Sequence, residues 1–201
     1  MRLAMRYSVA VVLVWILLPG SVISAQRGAY TAATDLNQMV AQAQTILRGH
    51  VVSANVEPHP QFSELQTVVV TLKVDRVLKG TAATTYTFRQ YIWDARDATD
   101  AAGYRKAGEL LLFLNPISSN GLTSPVGMEQ GRFRVERDAS GNGSALNGQG
   151  NVGLFTGVTG KASARGITLS ARARAMLNQG SGRASLVTLE ETIQALAGAA
   201  K

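Results

Sequence analysis

The sequence predicts a mainly β fold, a small Greek-key barrel of five to six strands with a short N-terminal helix and a C-terminal helix. The first observation is the stretch 46–80, where a short strand pattern, a proline-containing loop and a long strand pattern end on a Lys-Gly turn. The second is a set of later strand patterns, at 85–93, 110–114, 131–137 and 144–147. The third is the helical spacing of apolar residues on both sides of these strands.

The N-terminus has the pattern of a secretory signal peptide. Arg2 and Arg6 precede an apolar run at 8–18, Pro19-Gly20 breaks it, and a small residue, Ala25, marks a cleavage position. The alternative is a membrane anchor, but a spanning helix needs roughly 20 apolar residues and the run is shorter. We therefore expect cleavage near Ala25 and a secreted or periplasmic protein.

Composition and patterning divide the chain into four parts. Residues 1–25 are the expected signal peptide, 26–147 the barrel domain, 148–185 a flexible Gly/Ser/Arg-rich segment and 186–201 a C-terminal helix. The chain has no cysteine, so it cannot use disulfides, thiol chemistry or Cys-ligated metal, and its stability must come from a hydrophobic core. A mature chain of about 180 residues suits one domain.

The charge balance is basic and uneven. The formal net charge is +7, and no acidic residue occurs between Ala139 and Leu189. A basic stretch favours anionic surfaces such as phosphate, lipid headgroups or acidic polymers. The alternative is a solvated, partly disordered loop.

The first elements follow from caps and periodicity. Asp35 with Gln38 forms a capping box for a short helix whose apolar stripe is Leu36, Met39, Val40 and Ala43. A strand is predicted at 45–53, with Gly49 marking a bulge or a close backbone approach. The two prolines of the stretch 57–60 predict a loop.

The long strand at 66–78 alternates cleanly. Its buried face is predicted to be Val68, Val70, Leu72 and Val74. The alternation slips after Asp75, which indicates a bulge or the end of the strand. Gly80 then allows the positive φ of a turn.

The later strands differ in what they bury. In the strand at 85–93, the apolar residues Tyr86, Phe88 and Ile92 predict a core face in which Gln90 is a misfit. The run at 110–114 is apolar on both faces and is predicted to be buried on both. Phe133 and Val135 point inward from the strand at 131–137, Asn142-Gly143 is a hairpin turn signal, and Thr188 with Glu191 forms a capping box for the last helix.

These core and turn motifs resemble a known family. The residues Ala41-Gln42-Ala43 and Ile46-Leu47-Arg48-Gly49-His50-Val51, with Val77-Leu78-Lys79-Gly80 after a valine-rich strand, are similar to the start of the netrin-like domain. The runs at 108–114 and 131–135 resemble uncharacterised exported bacterial proteins with the same pattern. The resemblance covers roughly 36–147 and implies the OB-fold shared by netrins, complement C-terminal modules and tissue inhibitors of metalloproteinases. Those inhibitors place an N-terminal cysteine on the target's zinc, so their mechanism does not carry over to a chain without cysteine.

The residue types argue against catalysis. His50 and His59 are the two histidines, and neither has a second histidine at ligand spacing, so no zinc triad can be written. No Gly-x-Ser-x-Gly elbow is present. Asp94, Asp97 and Asp100 lack the oxygen spacing of an EF-hand loop and are interpreted as a solvated acidic loop. We expect no enzyme activity, no metal and no cofactor.

Binding residues are predicted on two strands. Arg89, Tyr91 and Trp93 alternate on one face, and OB-folds bind oligomers through basic and aromatic groups on such faces. The alternative is that Tyr91 and Trp93 pack beneath a terminal helix. Arg132 and Arg134 share a strand face and either extend a basic groove or form an ordinary polar face.

The function predicted from these features is an exported, non-catalytic binding module. We expect its partner to be another protein. The alternatives are an anionic polymer or membrane surface, and an extracellular protease inhibitor without the cysteine-dependent mechanism. Because export removes most nucleic-acid roles, nucleic acid is not an expected partner.

Overall fold

The computed structural model describes residues 32–198, and the expected signal peptide at 1–25 lies outside them. In the described range, seven antiparallel strands form one open sheet. The strands are β1 (Thr45–Pro58), β2 (Gln66–Lys79), β3 (Thr85–Tyr91), β4 (Glu109–Leu114), β5 (Arg132–Arg137), β6 (Gly143–Asn147) and β7 (Ala184–Ser185). The helices are α1 (Leu36–Gln42), α2 (Ala95–Thr99), α3 (Val158–Ala164), α4 (Ala171–Leu177) and α5 (Leu186–Gly198).

The strand order is β3-β2-β1-β4-β5-β6-β7. The prediction of a mainly β fold with helices near both ends is confirmed. The predicted closure of the strands into a Greek-key barrel is not confirmed, because β3 and β7 are the two ends of one open sheet. None of the helices within residues 32–198 combines the length and the apolar character that crossing a membrane requires.

The sheet buries side chains on both faces. We call the face covered by most of the helices the helix face, and the opposite face, on which the cleft described below opens, the cleft face. On the helix face, Leu111, Phe113 and Phe133 pack in one core with all the helices except α2. On the cleft face, Leu110 and Leu112 pack with β1, β2, β3 and the segment 101–104. β4 therefore has apolar residues on both sides, as its sequence predicts.

β1 is longer than predicted. Its first residues, Thr45–His50, pair with β4, whereas the rest of the strand up to Pro58 pairs with β2 alone. Pro58, which the sequence predicts to lie in a loop, is the last residue of β1. At the end of a strand that is paired on one side only, its missing N–H costs no hydrogen bond of the ladder. At Gly49 the register shifts, and a Cβ would collide with the carbonyl of Lys73, so the predicted close approach is confirmed.

The N-terminal helix is built as predicted. Gln38 N donates to the Asp35 carboxylate and Asp35 N donates to the Gln38 side chain, which completes the capping box of α1. The C-terminal end of α1 is bound by a lysine of β2. Lys79 Nζ donates to the carbonyls of Val40 and Ala43, each at 2.6 Å, and burial lowers the pKa of this lysine.

The segment 148–185, predicted to be flexible, is folded in the structure. It contains α3, α4 and β7, and it contributes Leu154, Phe155, Val158, Ala162, Leu169, Ala173, Met176, Leu177 and Ala184 to the core on the helix face. Its first turn is held by Asn151, whose side-chain amide donates to the carbonyls of Ala145 and Gly182. Sparse apolar residues among glycines supply this burial because two helices share them.

The C-terminal helix is confirmed, but its predicted cap is not. α5 begins at Leu186, so Thr188 lies inside it and donates to the Ser185 hydroxyl at 3.3 Å. The threonine is buried, and a residue already inside the helix cannot act as its N-cap.

Candidate functional site

The structure divides the predicted binding residues between the two faces of the sheet. Arg89 and Tyr91 alternate with the buried cleft-face residues Phe88 and Gln90 of β3, so they point to the opposite side. Arg132 and Arg134 pair with Leu112 and Leu110, which places them on the cleft face. The five residues therefore do not form one basic groove.

Arg89 is already engaged within the protein. Its guanidinium donates to Glu57 Oε1 at 2.5 Å and to Thr67 Oγ1 at 2.7 Å. Thr67 belongs to the adjacent strand β2, and Glu57 belongs to β1, the next strand in the sheet. An external anion at Arg89 would have to compete with this pairing.

Trp93 is exposed, with 72% of its surface accessible. The alternative that it packs beneath a terminal helix is therefore wrong. Its ring makes an edge contact with Tyr91, with centroids 4.8 Å apart. The misfit Gln90 is buried on the other face, where Tyr104 Oη donates to its side-chain oxygen at 2.7 Å.

A cleft of about 930 Å³ opens on the cleft face. One wall is the stretch 97–105 and the other is β5, with Arg132, Arg134 and Glu136 on the cleft side. Gln90 and Leu110 lie in the lining, together with the turn 127–129 and Gly148-Gln149. This volume lies in the range of small-molecule and peptide sites.

Unusual backbone conformations gather at this cleft. Ala101 and Ala102 have φ values of +50° and +54°, and the following Gly103 has +76°, so three successive residues are left-handed. Met128, with +57°, also lines the cleft, and Ala107, with +63°, lies between the lining residues Arg105 and Gly108. Left-handed conformations cost alanine and methionine roughly 1–2 kcal/mol each, and such strain clusters at functional sites.

Arg132 holds this strained wall in place. Its guanidinium donates to the Ala102 carbonyl and to the Glu129 carboxylate. It also lies over the ring of Tyr104, with Cζ 4.8 Å from the centroid. Arg132 is therefore a positioning residue whose donors are committed to the protein.

Arg134 differs from its neighbour. It is exposed in the cleft lining, and its side chain has no hydrogen bond or ion pair with any residue of the described range 32–198. Arg105, on the opposite wall, also has no side-chain partner among these residues. The cleft thus offers two uncommitted cations.

A polar cluster separate from the cleft lies on the helix face of the sheet, next to α5. His50 Nδ1 lies 2.9 Å from Asp75 Oδ2, and His50 Nε2 lies 3.9 Å from Glu109 Oε2. Ligand atoms of these three residues lie within 4.8 Å of one another, a set that could hold a divalent cation. Sequence reasoning missed this group because three strands supply it and bulges set its register.

Arginines already neutralise this cluster. Arg48 donates to Glu109 and Glu190, each at 2.7 Å, and Arg137 donates to both carboxylate oxygens of Glu109. Burial alone would raise the pKa of Glu109, but the hydrogen bonds from Arg137 and Arg48 outweigh it and hold that pKa below its ordinary value. A cation would have to displace these arginines, so the cluster is better described as an ion-pair network that ties α5 to β1, β2, β4 and β5.

Comparison of the chain with protein-family models, with curated proteins and with solved structures finds no match.

Proposed function

We propose that this protein is an exported, non-catalytic binding module whose partner is another protein that inserts a segment into the cleft. The observation that carries the proposal is the 930 Å³ cleft, whose lining contains the left-handed residues Ala102 and Met128 and two uncommitted arginines. Strain that the surrounding structure maintains is a pointer to function. A cleft of this size can bury most of a short peptide.

The contacts of the histidines support a non-catalytic role. His59 is buried, stacks on Phe62 and hydrogen-bonds the Asn120 carbonyl at 2.9 Å. His50 faces two carboxylates that arginines share. Each imidazole thus has a structural task, and within residues 32–198 neither hydrogen-bonds a serine or threonine hydroxyl. An assay panel for hydrolysis tests this, and activity that survives repurification would overturn it.

Export is proposed from the N-terminal sequence pattern. Expression of the full chain in a bacterial host with an intact export pathway should yield a periplasmic or secreted product that begins near Gln26. N-terminal mass spectrometry of the product measures this. Retention of Met1 in a cytoplasmic product would contradict it.

We also propose that the sheet closes further into a netrin-like OB barrel. What supports this is the chain after β4. Leu122 forms a parallel bridge with Arg89 of β3, and Pro125 forms an antiparallel bridge with Leu114 of β4. Since the chain has no cysteine, the double variant R89C/L122C would contain the only two thiols. Rapid cross-linking on oxidation is expected, whereas no cross-linking would count against closure.

Capture from the native envelope or culture fluid tests the binding proposal. Gln149 is exposed and lines the cleft, so Gln149→Trp should block it. Gln179 is exposed beyond α4, so Gln179→Trp is the matched control. We expect one protein to be retained by the wild type and the control and lost by Gln149→Trp. Equal capture by all three would overturn the cleft as the site, and cleft-independent retention on heparin or anionic vesicles would favour the polyanion alternative.

A further inference from the structure

We propose that Gln90 selects the segment that binds in the cleft, by donating a hydrogen bond from its side-chain amide to an oxygen at the end of an Asn, Gln, Asp or Glu side chain. This inference rests on the proposed function, because it assumes that the cleft receives a segment of a partner protein. It adds the chemical class of the side chain that enters the cleft and the residue that recognises it.

The first step is the position of Gln90, a polar residue in an apolar part of the sheet. Only 6% of its surface is exposed, and Phe88 on the same face of β3 belongs to the buried core. Gln90 nevertheless lines the cleft. Since its main chain pairs with Val68 of β2, the side chain is the part that reaches the cleft.

The second step is the orientation of the amide, which Tyr104 fixes. Tyr104 Oη donates to Gln90 Oε1 at 2.7 Å. The hydroxyl oxygen receives a hydrogen bond from Arg132, whose guanidinium can only donate, so the hydroxyl proton is directed to Gln90. The carbonyl end of the amide is therefore held by the protein, and the NH₂ end is left for another partner.

The third step is that this NH₂ group opens onto the cleft. Gln90 Nε2 has no hydrogen-bond partner among residues 32–198. In this described range no fully buried side-chain nitrogen or oxygen lacks a partner, so Nε2 is not sealed in the core. Because Gln90 is otherwise buried, its amide donors are accessible from the cleft. A donor that is largely withdrawn from water and has no partner favours a ligand that supplies an acceptor.

The recessed position of the donor decides which acceptor can reach it. A main-chain carbonyl is flanked by the substituents of two Cα atoms, whereas an amide or carboxylate oxygen stands at the end of a narrow side chain and can enter a recess. Lys and Arg side chains carry no acceptor and are excluded at this position. The anchoring side chain is therefore Asn, Gln, Asp or Glu.

Selection from a random peptide library displayed on phage tests the inference with the whole protein. Peptides that the wild type selects and Gln149→Trp does not should share Asn, Gln, Asp or Glu at one position. Gln90→Met keeps an unbranched side chain but has no donor, so it should select no acceptor at that position. Gln179 is exposed beyond α4, so Gln179→Met is the matched control and should select the wild-type pattern.

Titration of a selected peptide, and of its version with Ala at the shared position, gives the magnitude. The Ala version should bind the wild type at least about tenfold more weakly, a loss of about 1.4 kcal/mol. The two peptides should bind Gln90→Met equally. A thermal melt shows whether Gln90→Met is folded. NMR of the wild type gives the same answer without a variant, because the Gln90 Nε2 protons, identified by their proximity to Tyr104, should move downfield with the selected peptide and not with its Ala version.

The outcomes separate this inference from the proposed function. Gln149-sensitive peptides that share no acceptor side chain would overturn the inference and leave the cleft as a site. An Ala effect of equal size in the wild type and Gln90→Met, or Nε2 protons that respond alike to both peptides, would do the same. The absence of any Gln149-sensitive peptide would overturn both.

Discussion

The guanidinium of Arg132 lies 4.8 Å above the ring of Tyr104 and donates to the carbonyl of Ala102. One side chain of β5 thereby fastens the left-handed turn that forms the opposite wall of the cleft. Gly103 belongs to the same contact, because a Cβ there would lie 3.3 Å from the guanidinium. The shape of the cleft thus depends on a bond between elements that are far apart in the sequence.

Arg132→Leu should destabilise the protein by about 2–4 kcal/mol, because hydrogen bonds to charged groups contribute about 1.5–3 kcal/mol and the cation–π contact adds to them. Urea denaturation measures the change in the free energy of unfolding. Arg134→Leu is the matched control, since it removes the same charge from the same strand face without breaking a bond. We expect less than about 0.5 kcal/mol for the control, as for most surface substitutions. Equal losses in the two variants would contradict the positioning role of Arg132.

Tyr104 should remain protonated well above pH 10, where an unperturbed tyrosine ionises. Burial raises its pKa from 10.0 to about 12, even though the nearby Arg132 charge acts in the opposite direction. The raised pKa means that the folded state holds a proton that the unfolded state loses above about pH 10. Stability should therefore fall as pH rises from about 10 to 12, by on the order of 2–3 kcal/mol. Tyrosinate absorbance and thermal melts across this range measure both effects, and Tyr104→Phe should remove the late-titrating group and flatten the stability loss.

Local sequence rules predicted the elements well and the site poorly. The capping box at Asp35, the close approach at Gly49 and the doubly buried β4 each depend on neighbouring residues or on periodicity, so they could be read directly. The packing of the segment 148–185 could not be predicted in this way, because its few apolar residues are spread among many glycines and serines and form a core only with other elements. The end of β1 was misjudged because its pairing partner changes along its length.

The cleft could not be predicted from the sequence for a different reason. Its walls come from 97–105 and from β5, and the left-handed alanines at 101 and 102 carry no sequence signal, since alanine is a helix former. Arg132 and Arg134 look alike in the sequence, and only their contacts separate a structural residue from an uncommitted one.

Acid should weaken the network around Glu109. Its pKa in the folded state is held below the ordinary glutamate value by Arg137 and Arg48. The associated stability is therefore fully present above about pH 4.3, the pKa of an unperturbed glutamate, and is lost as pH falls through the lowered value. Glu109→Gln should flatten this acid limb and cost about 2 kcal/mol at neutral pH, since it loses hydrogen bonds to charged groups. Glu191 is exposed on α5, so Glu191→Gln should leave the pH profile unchanged, and a shift of equal size in that control would count against the network.

Two exposed glycines should respond to alanine with opposite signs. Gly160 lies within α3 with no atom within 4 Å of a built Cβ, so Gly160→Ala should stabilise the protein by about 0.5–1 kcal/mol through helix propensity and reduced unfolded-state entropy. Gly80 closes the turn after β2 with φ of +77°, and a Cβ there would lie 2.7 Å from the Gln44 carbonyl oxygen. Gly80→Ala should therefore destabilise by about 2 kcal/mol or more, because the left-handed strain and the close contact add. Thermal melts of the two variants at matched concentration measure the difference. A neutral Gly80→Ala would mean that the turn and Gln44 can move apart without loss, and the junction between α1 and β2 would then be less rigid than the Lys79 bonds indicate.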